Sequence, residues 1–308
     1  MKVAYNNKYV AAKHSFDTTR KAELIAEELK QGSVPTVELS DPTAWEPQAV
    51  QAIEETHDQA YVQALRSGEP RSLSQSQGFE WDPGVWTMAV ASTAGVIAAV
   101  DWAIGCGGFA GSLSSGLHHA GRDRGKGFCT VNGLAIGAQR AAEKVDGRVL
   151  ILDLDAHCGG GTYELLGSDS RMVQLDLSTS SYDRYSPGCS HRLEIFGGGS
   201  DAEYLRTLGH LLEQIPEDVD FLLYNAGVDP HPVISGAALA DREHLVTKWC
   251  GEHSVPAAFV MAGGYQGTLT VEGLVALHLT TIESFATRQE KDIETGAVRV
   301  SSVCPKSP

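Results

Sequence analysis

The stretch DLDAHCGGGT (153–162) follows the apolar run RVLIL (148–152). A short apolar run of this kind reads as a strand buried on both faces. Asp153, Asp155 and His157 alternate along the chain, so they share one face for as long as the strand lasts. The glycines at 159, 160 and 161 are expected to let the backbone turn sharply there. Burying polar groups without partners costs several kcal/mol. Two carboxylates and an imidazole converging at a strand end must therefore be paired, hold a metal or do chemistry.

The pattern around this stretch repeats. MVQLDL (172–177), FLLYNA (221–226) and AAFVMA (257–262) read as further strands, and MKVAY at the N-terminus is strand-like. Helical periodicity marks 18–31, 46–57, 131–145, 201–215, 239–252 and 268–286, while 58–65 continues the second of these helices. The segment 68–84 reads as a polar loop. The glycine-rich segment 105–127 has too little periodic apolar sequence to predict a regular element. Strands alternating with helices imply an α/β fold, with a mostly parallel central sheet flanked by helices on both faces. A chain of 308 residues suits one such domain over 1–308. Ligands of these sheets sit at the carboxyl ends of the strands. Those ends carry Asp155 and His157, residues 178–182, Asp229, and Gly263, Gly264 and Tyr265.

The net charge of −15 argues against a nucleic-acid partner. The long apolar segment 85–104 contains Ser92, Thr93 and Asp101 and is rich in alanine, which predicts a buried helix and no membrane span. Six cysteines without a CxxC pair, and the lack of a signal-like N-terminus, predict reduced thiols and a cytoplasmic location.

Asp155, His157 and Asp229 offer three oxygen and nitrogen ligands, leaving a position for water on a catalytic zinc ion. Such an ion lowers the pKa of its water to about 7 and polarises a carbonyl. Asp after a strand is common as a turn or cap residue, so it is the grouping that points to a metal. Beside a metal, His118 and His119 acquire roles, one as general base and the other as a nearby positive charge. Asp153 is placed to pair with one of them. The Tyr265 hydroxyl is placed to donate to a developing oxyanion.

This set resembles the zinc-dependent histone deacetylase superfamily, whose relatives include the acetylpolyamine amidohydrolases. HHAGRDRGKGFCTVNGLAIGA (118–138), DLDAHCGGGT, NAGVD (225–229) and AGGYQ (262–266) stand in that family's order and spacing. ETHDQAYVQALRSGEP (55–70) and GFEWDPG (78–84) are similar too, so the resemblance covers roughly residues 14–286. The YNAGVD and GGYQ forms are most similar to the class IV branch. The resemblance implies the arginase/deacetylase type of fold and one zinc ion per chain, held by Asp155, His157 and Asp229. It makes His119 the general base and acid, His118 its electrostatic partner held by Asp153, and Tyr265 the stabiliser of the tetrahedral intermediate. Gly127 and Phe128 would line the channel for an acylated amine, with Tyr182 on the opposite wall. A structural potassium ion near the D-x-D-x-H backbone also belongs to the expectation, without assigned ligands.

Three departures stand out. Gly160 occupies the position where the family usually carries Asp or Asn to orient the second histidine. Unless another group substitutes, His119 is expected to titrate lower than in a carboxylate-supported pair. The loop before the pair reads SLSSGLHH (112–119) in place of RPPGHH, and PHPVISGAALADRE (230–243) replaces the usual glycine-Asp-x-leucine-glycine stretch. A binuclear manganese ureohydrolase would need further bridging carboxylates, and position 159 is glycine. GCGGFA (105–110) follows a helix, which weakens a nicotinamide-binding reading, and no G-x-S-x-G supports a serine hydrolase. The alternative from another class is a non-catalytic protein that binds acyl-lysine and keeps the zinc fold. The sequence predicts a zinc amidohydrolase acting on an acylated amine, such as acyl-lysine or acetylpolyamine. It does not fix the amine, the acyl length or the oligomeric state.

Overall fold

Unbroken apolar runs become strands when both of their faces can be covered. The computed structural model, which describes residues 1–13, 17–188, 190–265 and 269–296, builds one sheet from such runs. Its strands are β1 (Lys2–Ala4), β2 (Glu38–Ser40), β3 (Phe109–Ser112), β4 (Arg148–Asp153), β5 (Met172–Ser178), β6 (Arg192–Ile195), β7 (Val219–Gly227) and β8 (Ala257–Ala262). Their order is β2-β1-β3-β8-β7-β4-β5-β6, and every neighbouring pair is parallel.

Side-chain alternation along β4 divides the core between the two faces. Val149 and Ile151 pack with Val96, Val100, Leu134 and Ile136. These come from α5 (Gly84–Cys106) and α6 (Gly133–Ala142) on one face. Leu150 and Leu152 pack with Leu208, Val246 and Phe285. These come from α8 (Asp201–Leu212), α9 (Gly236–His253) and α10 (Val271–Glu294) on the other. The remaining helices are α1 (Asp17–Lys30), α2 (Glu46–Thr56), α3 (Gln59–Ser67), α4 (Arg71–Ser74) and α7 (Gly160–Leu166). α5 is long and apolar enough to cross a membrane by length and composition, but it is buried against β3, α2 and α6 as a core helix. Its alanines and Gly95 let neighbours approach; a Cβ at Gly95 would meet the Tyr9 hydroxyl.

Several elements differ from the sequence reading. β3 lies inside the glycine-rich segment expected to be irregular. Its four residues are wholly buried between β1 and β8, so pairing, and no periodic pattern, makes it a strand. β2 and β6 are likewise too short to show a period, and α4 falls in the expected polar loop. β4 ends at Asp153, so Asp155 and His157 stand in the loop beyond it. α7 starts at once in the glycine run, and none of Gly159, Gly160 and Gly161 has positive φ, so the glycines serve no left-handed turn there. Cys129, Cys158 and Cys250 are reduced and buried. Cys106 is disulfide-bonded, which corrects the expectation of six reduced thiols. Cys189 and Cys304 lie outside the described residues.

One buried cation braces the carboxyl ends of β4 and β7. The Arg242 guanidinium, on α9 and fully buried, donates to the Leu154 carbonyl at 3.0 Å and the Gly227 carbonyl at 2.7 Å. It also pairs with Glu243, whose carboxylate accepts from the Tyr224 hydroxyl at 3.0 Å. Breaking a buried pair by removing one partner leaves an uncompensated charge. Arg242→Met is therefore expected to lower unfolding stability by about 3–5 kcal/mol, measured by chemical denaturation. A loss below about 1 kcal/mol, within the ordinary range for an exposed pair, would show that the brace is dispensable.

Candidate active site

The sheet brings the predicted groups together at the carboxyl ends of β4, β7 and β8. One ligating atom from each of Asp155, His157 and Asp229 lies within 4.8 Å of the others. Backbone N–H groups of the loop after β4 hold both carboxylates. The His157 N–H donates to Asp155 Oδ1 at 2.9 Å, and the Ala156 N–H donates to Asp229 Oδ1 at 2.9 Å. Asp229 Oδ2 is buried with no hydrogen-bond partner among the described residues. Two such carboxylates cannot both stay ionised at this separation without a cation. Burial and the charge of Asp155 raise the Asp229 pKa. The hydrogen bond to Asp155 and the Asp229 carboxylate 3.4 Å away raise His157 to about 10, so a proton on the imidazole supplies the missing positive charge. A divalent cation competes with that proton for the same ring. Two oxygens, one nitrogen and an orphaned buried carboxylate atom fit a zinc site with room for water.

The histidine pair sits beside this cluster with ring centroids 4.0 Å apart. His118 Nδ1 lies 2.6 Å from Asp153 Oδ2, so Asp153 pairs with the first histidine. Asp153 Oδ1 accepts from Asn225 at 2.8 Å. Burial opposes a charge on His118, but Asp153 and Asp155 outweigh it and raise the pKa to about 10. Burial, and then the charge of His118, lowers His119 to about 4. One ring is thus kept cationic and its neighbour neutral. Pairs whose surroundings push their pKa values apart are the usual mark of an acid–base assignment.

Another residue substitutes for the side chain absent at Gly160. His119 Nδ1 lies 2.8 Å from Oδ2 of Asp183, in the loop after β5. The condition on which a lower His119 titration was expected is therefore not met; burial and His118 lower its pKa, while the Asp183 carboxylate raises it.

Gly127 and Tyr182 lie against His119. A Cβ at Gly127 would lie 2.6 Å from the His119 ring and 3.1 Å from the Tyr182 ring, so glycine keeps this wall thin. The Tyr182 centroid is 5.0 Å from that of His119 and 5.7 Å from that of His157. Phe128 is 41% exposed and packs on Phe79, centroids 5.0 Å apart. Tyr265, 40% exposed, follows two glycines with positive φ. A Cβ at the first, Gly263, would collide with the Asp229 carboxylate, which is how close this turn runs to the cluster.

Sequence reasoning missed five contributors. Asn225 and Asp176 are lateral neighbours of Asp153 on the flanking strands. Burial and the charge of Asp153 raise Asp176 to about 8. Lys21 of α1 donates to the Gly263 carbonyl behind Asp229, and burial lowers its pKa to about 7 against the pull of Asp229 and Asp155. Asp183 and Lys126 pair with each other. Asn225 stood inside a quoted motif, and Asp183 directly follows the predicted wall residue Tyr182. Lys21 carried no signal, being one lysine in an amphipathic helix.

Comparison with known proteins agrees with this geometry. The histone deacetylase domain family matches residues 14–281. An uncharacterized protein of Picosynechococcus is 30% identical over 225 residues, covering 69% of this chain and 75% of its own. Histone deacetylase 2 of Arabidopsis thaliana is 32% identical over 53% of this chain and 44% of its own. Acetoin utilization protein AcuC of Staphylococcus aureus is 38% identical over 36% of this chain and 27% of its own. The chain thus spans less than half of these last two relatives. The crystal structure of an acetylpolyamine aminohydrolase from Burkholderia pseudomallei superposes with a TM-score of 0.75 at 18% identity, covering 94% of this chain and 99% of that one. This likeness bears out the arginase/deacetylase type of fold.

The close approach of β7 to the loop after β4 gives a test of the geometry. A Cβ at Gly227 would stand 2.4 Å from the Asp155 Cα, backbone against side chain. Gly227→Ala is expected to cost about 1–3 kcal/mol, the usual range for overpacking, and to loosen divalent-ion binding. Thermal melts with and without added zinc check it, and a variant with parental stability and zinc-induced shift would contradict the packing described.

Proposed function

This chain belongs to the histone deacetylase family, and on that premise we propose that it is a zinc-dependent amidohydrolase. In this reading it removes an acyl group, such as acetyl, from an acylated amine of the acyl-lysine or acetylpolyamine kind. The chain 1–308 acts as one catalytic unit. The observation that carries the reading is the convergence of Asp155, His157 and Asp229 within 4.8 Å beside the histidine pair. In this proposal those three residues hold the zinc ion. When bound, zinc supplies Lewis-acid chemistry, lowering the pKa of water and polarising a carbonyl.

The remaining steps belong to side chains. His119, kept neutral by burial and by His118, accepts a proton from the attacking water at Nε2, since Nδ1 is engaged by Asp183. The water oxygen bonds to the acyl carbon, and the carbonyl oxygen takes the negative charge. The Tyr265 hydroxyl, whose pKa is raised by burial and by the Asp229 and Asp155 charges, stays protonated and donates to that oxygen. Cationic His118, fixed by Asp153, adds positive potential beside the developing anion. The C–N bond then breaks as His119 returns its proton to the departing nitrogen, leaving a carboxylic acid and an amine; the acid's remaining proton passes to the amine or to solvent, giving a carboxylate. Gly127, Phe128 and Tyr182 form the walls that take the extended chain of the substrate. The alternative, a non-catalytic acyl-lysine-binding protein, draws its support from Gly160 and the altered channel rim; the Asp183 contact answers the first of these.

Two outcomes are expected. Purified protein should hold about one equivalent of zinc or a similar divalent ion per chain, and Asp229→Ala should lose it by metal analysis; full retention would remove Asp229 from the ligand set. Tyr265→Phe should lower kcat on acetyl-lysine peptides or acetylpolyamines by about a hundredfold or more with metal content unchanged. Chelator-sensitive hydrolysis in the parent is the control, and a phenylalanine variant that keeps most of its activity would assign the donor role elsewhere.

A further inference from the structure

We propose that Asp183 is the positioning residue of His119, exchanged in space with the side chain absent at Gly160, and that Lys126 ties it to the channel wall. The inference rests on the deacetylase reading for the task of His119, but its geometry stands on its own. His119 and Asp183 are both buried, and the carboxylate meets Nδ1 at 2.8 Å. A neutral imidazole that donates its Nδ1 proton to a carboxylate carries its lone pair on Nε2. That is the tautomer a general base needs.

Gly160 shows why the carboxylate comes from so far along the chain. A Cβ there would lie 2.3 Å from the Asp183 carbonyl oxygen and 2.7 Å from both its Cγ and Oδ1. φ at Gly160 is not positive, so the backbone would accept any residue, and only the space is denied. A side chain at 160 would meet the backbone carbonyl of Asp183 first and its carboxylate next, so residue 183 as a whole fills that place beside His119.

The loop that delivers Asp183 is fastened to the loop of the ligand cluster. The Thr179 and Ser180 N–H groups both donate to the Ala156 carbonyl, at 3.0 and 2.8 Å, and the Cys158 N–H donates to the Tyr182 carbonyl at 3.0 Å. Asp183 itself has φ +61, a conformation in which Asp is several-fold enriched. Its second oxygen, Oδ1, pairs with the Lys126 ammonium, which also lies 5.5 Å from the Tyr182 ring centroid. One carboxylate therefore joins the base to Lys126 and, through it, to the Tyr182 ring of the channel wall.

D183A should lower kcat by about 10- to 100-fold, the usual cost of losing such an outer partner, with KM and zinc content unchanged. D183N keeps an oxygen that accepts from Nδ1 and a residue type that tolerates the same positive φ, and it should be at least tenfold more active than D183A. A folded, zinc-loaded D183A with the parental kcat, or a D183N no more active than D183A, overturns the proposal. The His119 Nδ1 proton, followed by NMR in protein with ¹⁵N-labelled histidine, reads the same contact without turnover. It should be present in the parent and in D183N and lost in D183A. Its survival in D183A overturns the proposal whatever the activities. A parent without turnover on any acylated amine would sink the deacetylase reading alone, because the imidazole proton still decides the position of Asp183.

Discussion

Two carboxylates, Asp155 and Asp229, are buried side by side beyond the carboxyl ends of adjacent strands, and their mutual repulsion must be answered by positive charge. Much of the neighbouring structure answers it. His157 stands against both, Lys21 approaches from beneath through the Gly263 carbonyl, and His118 lies 3.5 Å from Asp155. Arg242 acts on the backbone, holding the Leu154 and Gly227 carbonyls one residue and two residues from the carboxylates. The cluster is rigid because cations are packed around it and because two parallel strands fix the distance between its halves. A site under this strain of like charge is primed for a divalent ion.

The same economy of charge separates two adjacent histidines. His118 and His119 are equally buried, each has a carboxylate at Nδ1, and their rings lie 4.0 Å apart with their planes tilted by 42°. Their difference comes from their further neighbours. His118 is answered by Asp153 and also faces Asp155, whereas His119 faces the positive charge held on His118. Placing one cation first makes the second unfavourable, so the pair settles into one charged and one neutral ring.

Much of this was legible in the sequence, and the reasons are specific. Apolar runs such as VLIL and FLLY announce parallel strands because both of their faces are buried, and the polar residues just beyond them mark the ligand end of the sheet. The pairing of His118 with Asp153 lay within short motifs. β3 was invisible because four residues, FAGS, have no period and become a strand only through β1 and β8. Asp183 was invisible for another reason. A hydrogen bond between residues 64 apart leaves no spacing to read, and a carboxylate in a polar loop looks like any other. Lys21 hid in the same way, as a cation whose partner is a backbone carbonyl 242 residues away.

The glycine run shows how far a residue type can mislead about its cause. Three consecutive glycines suggest a backbone that needs unusual dihedrals, yet none of the three adopts positive φ. Each is instead a place where something else must come close. A Cβ at Gly159 would reach the Asp153 carboxylate at 2.7 Å, one at Gly160 the Asp183 carbonyl at 2.3 Å, and one at Gly161 the His119 backbone at 2.4 Å. The N-terminus of α7 is thus pressed against both histidine supports and the histidine loop at once. Space, rather than flexibility, is what these residues provide. A substitution in this run acts first on the aim of the histidines, and on the conformation of the loop only through that crowding.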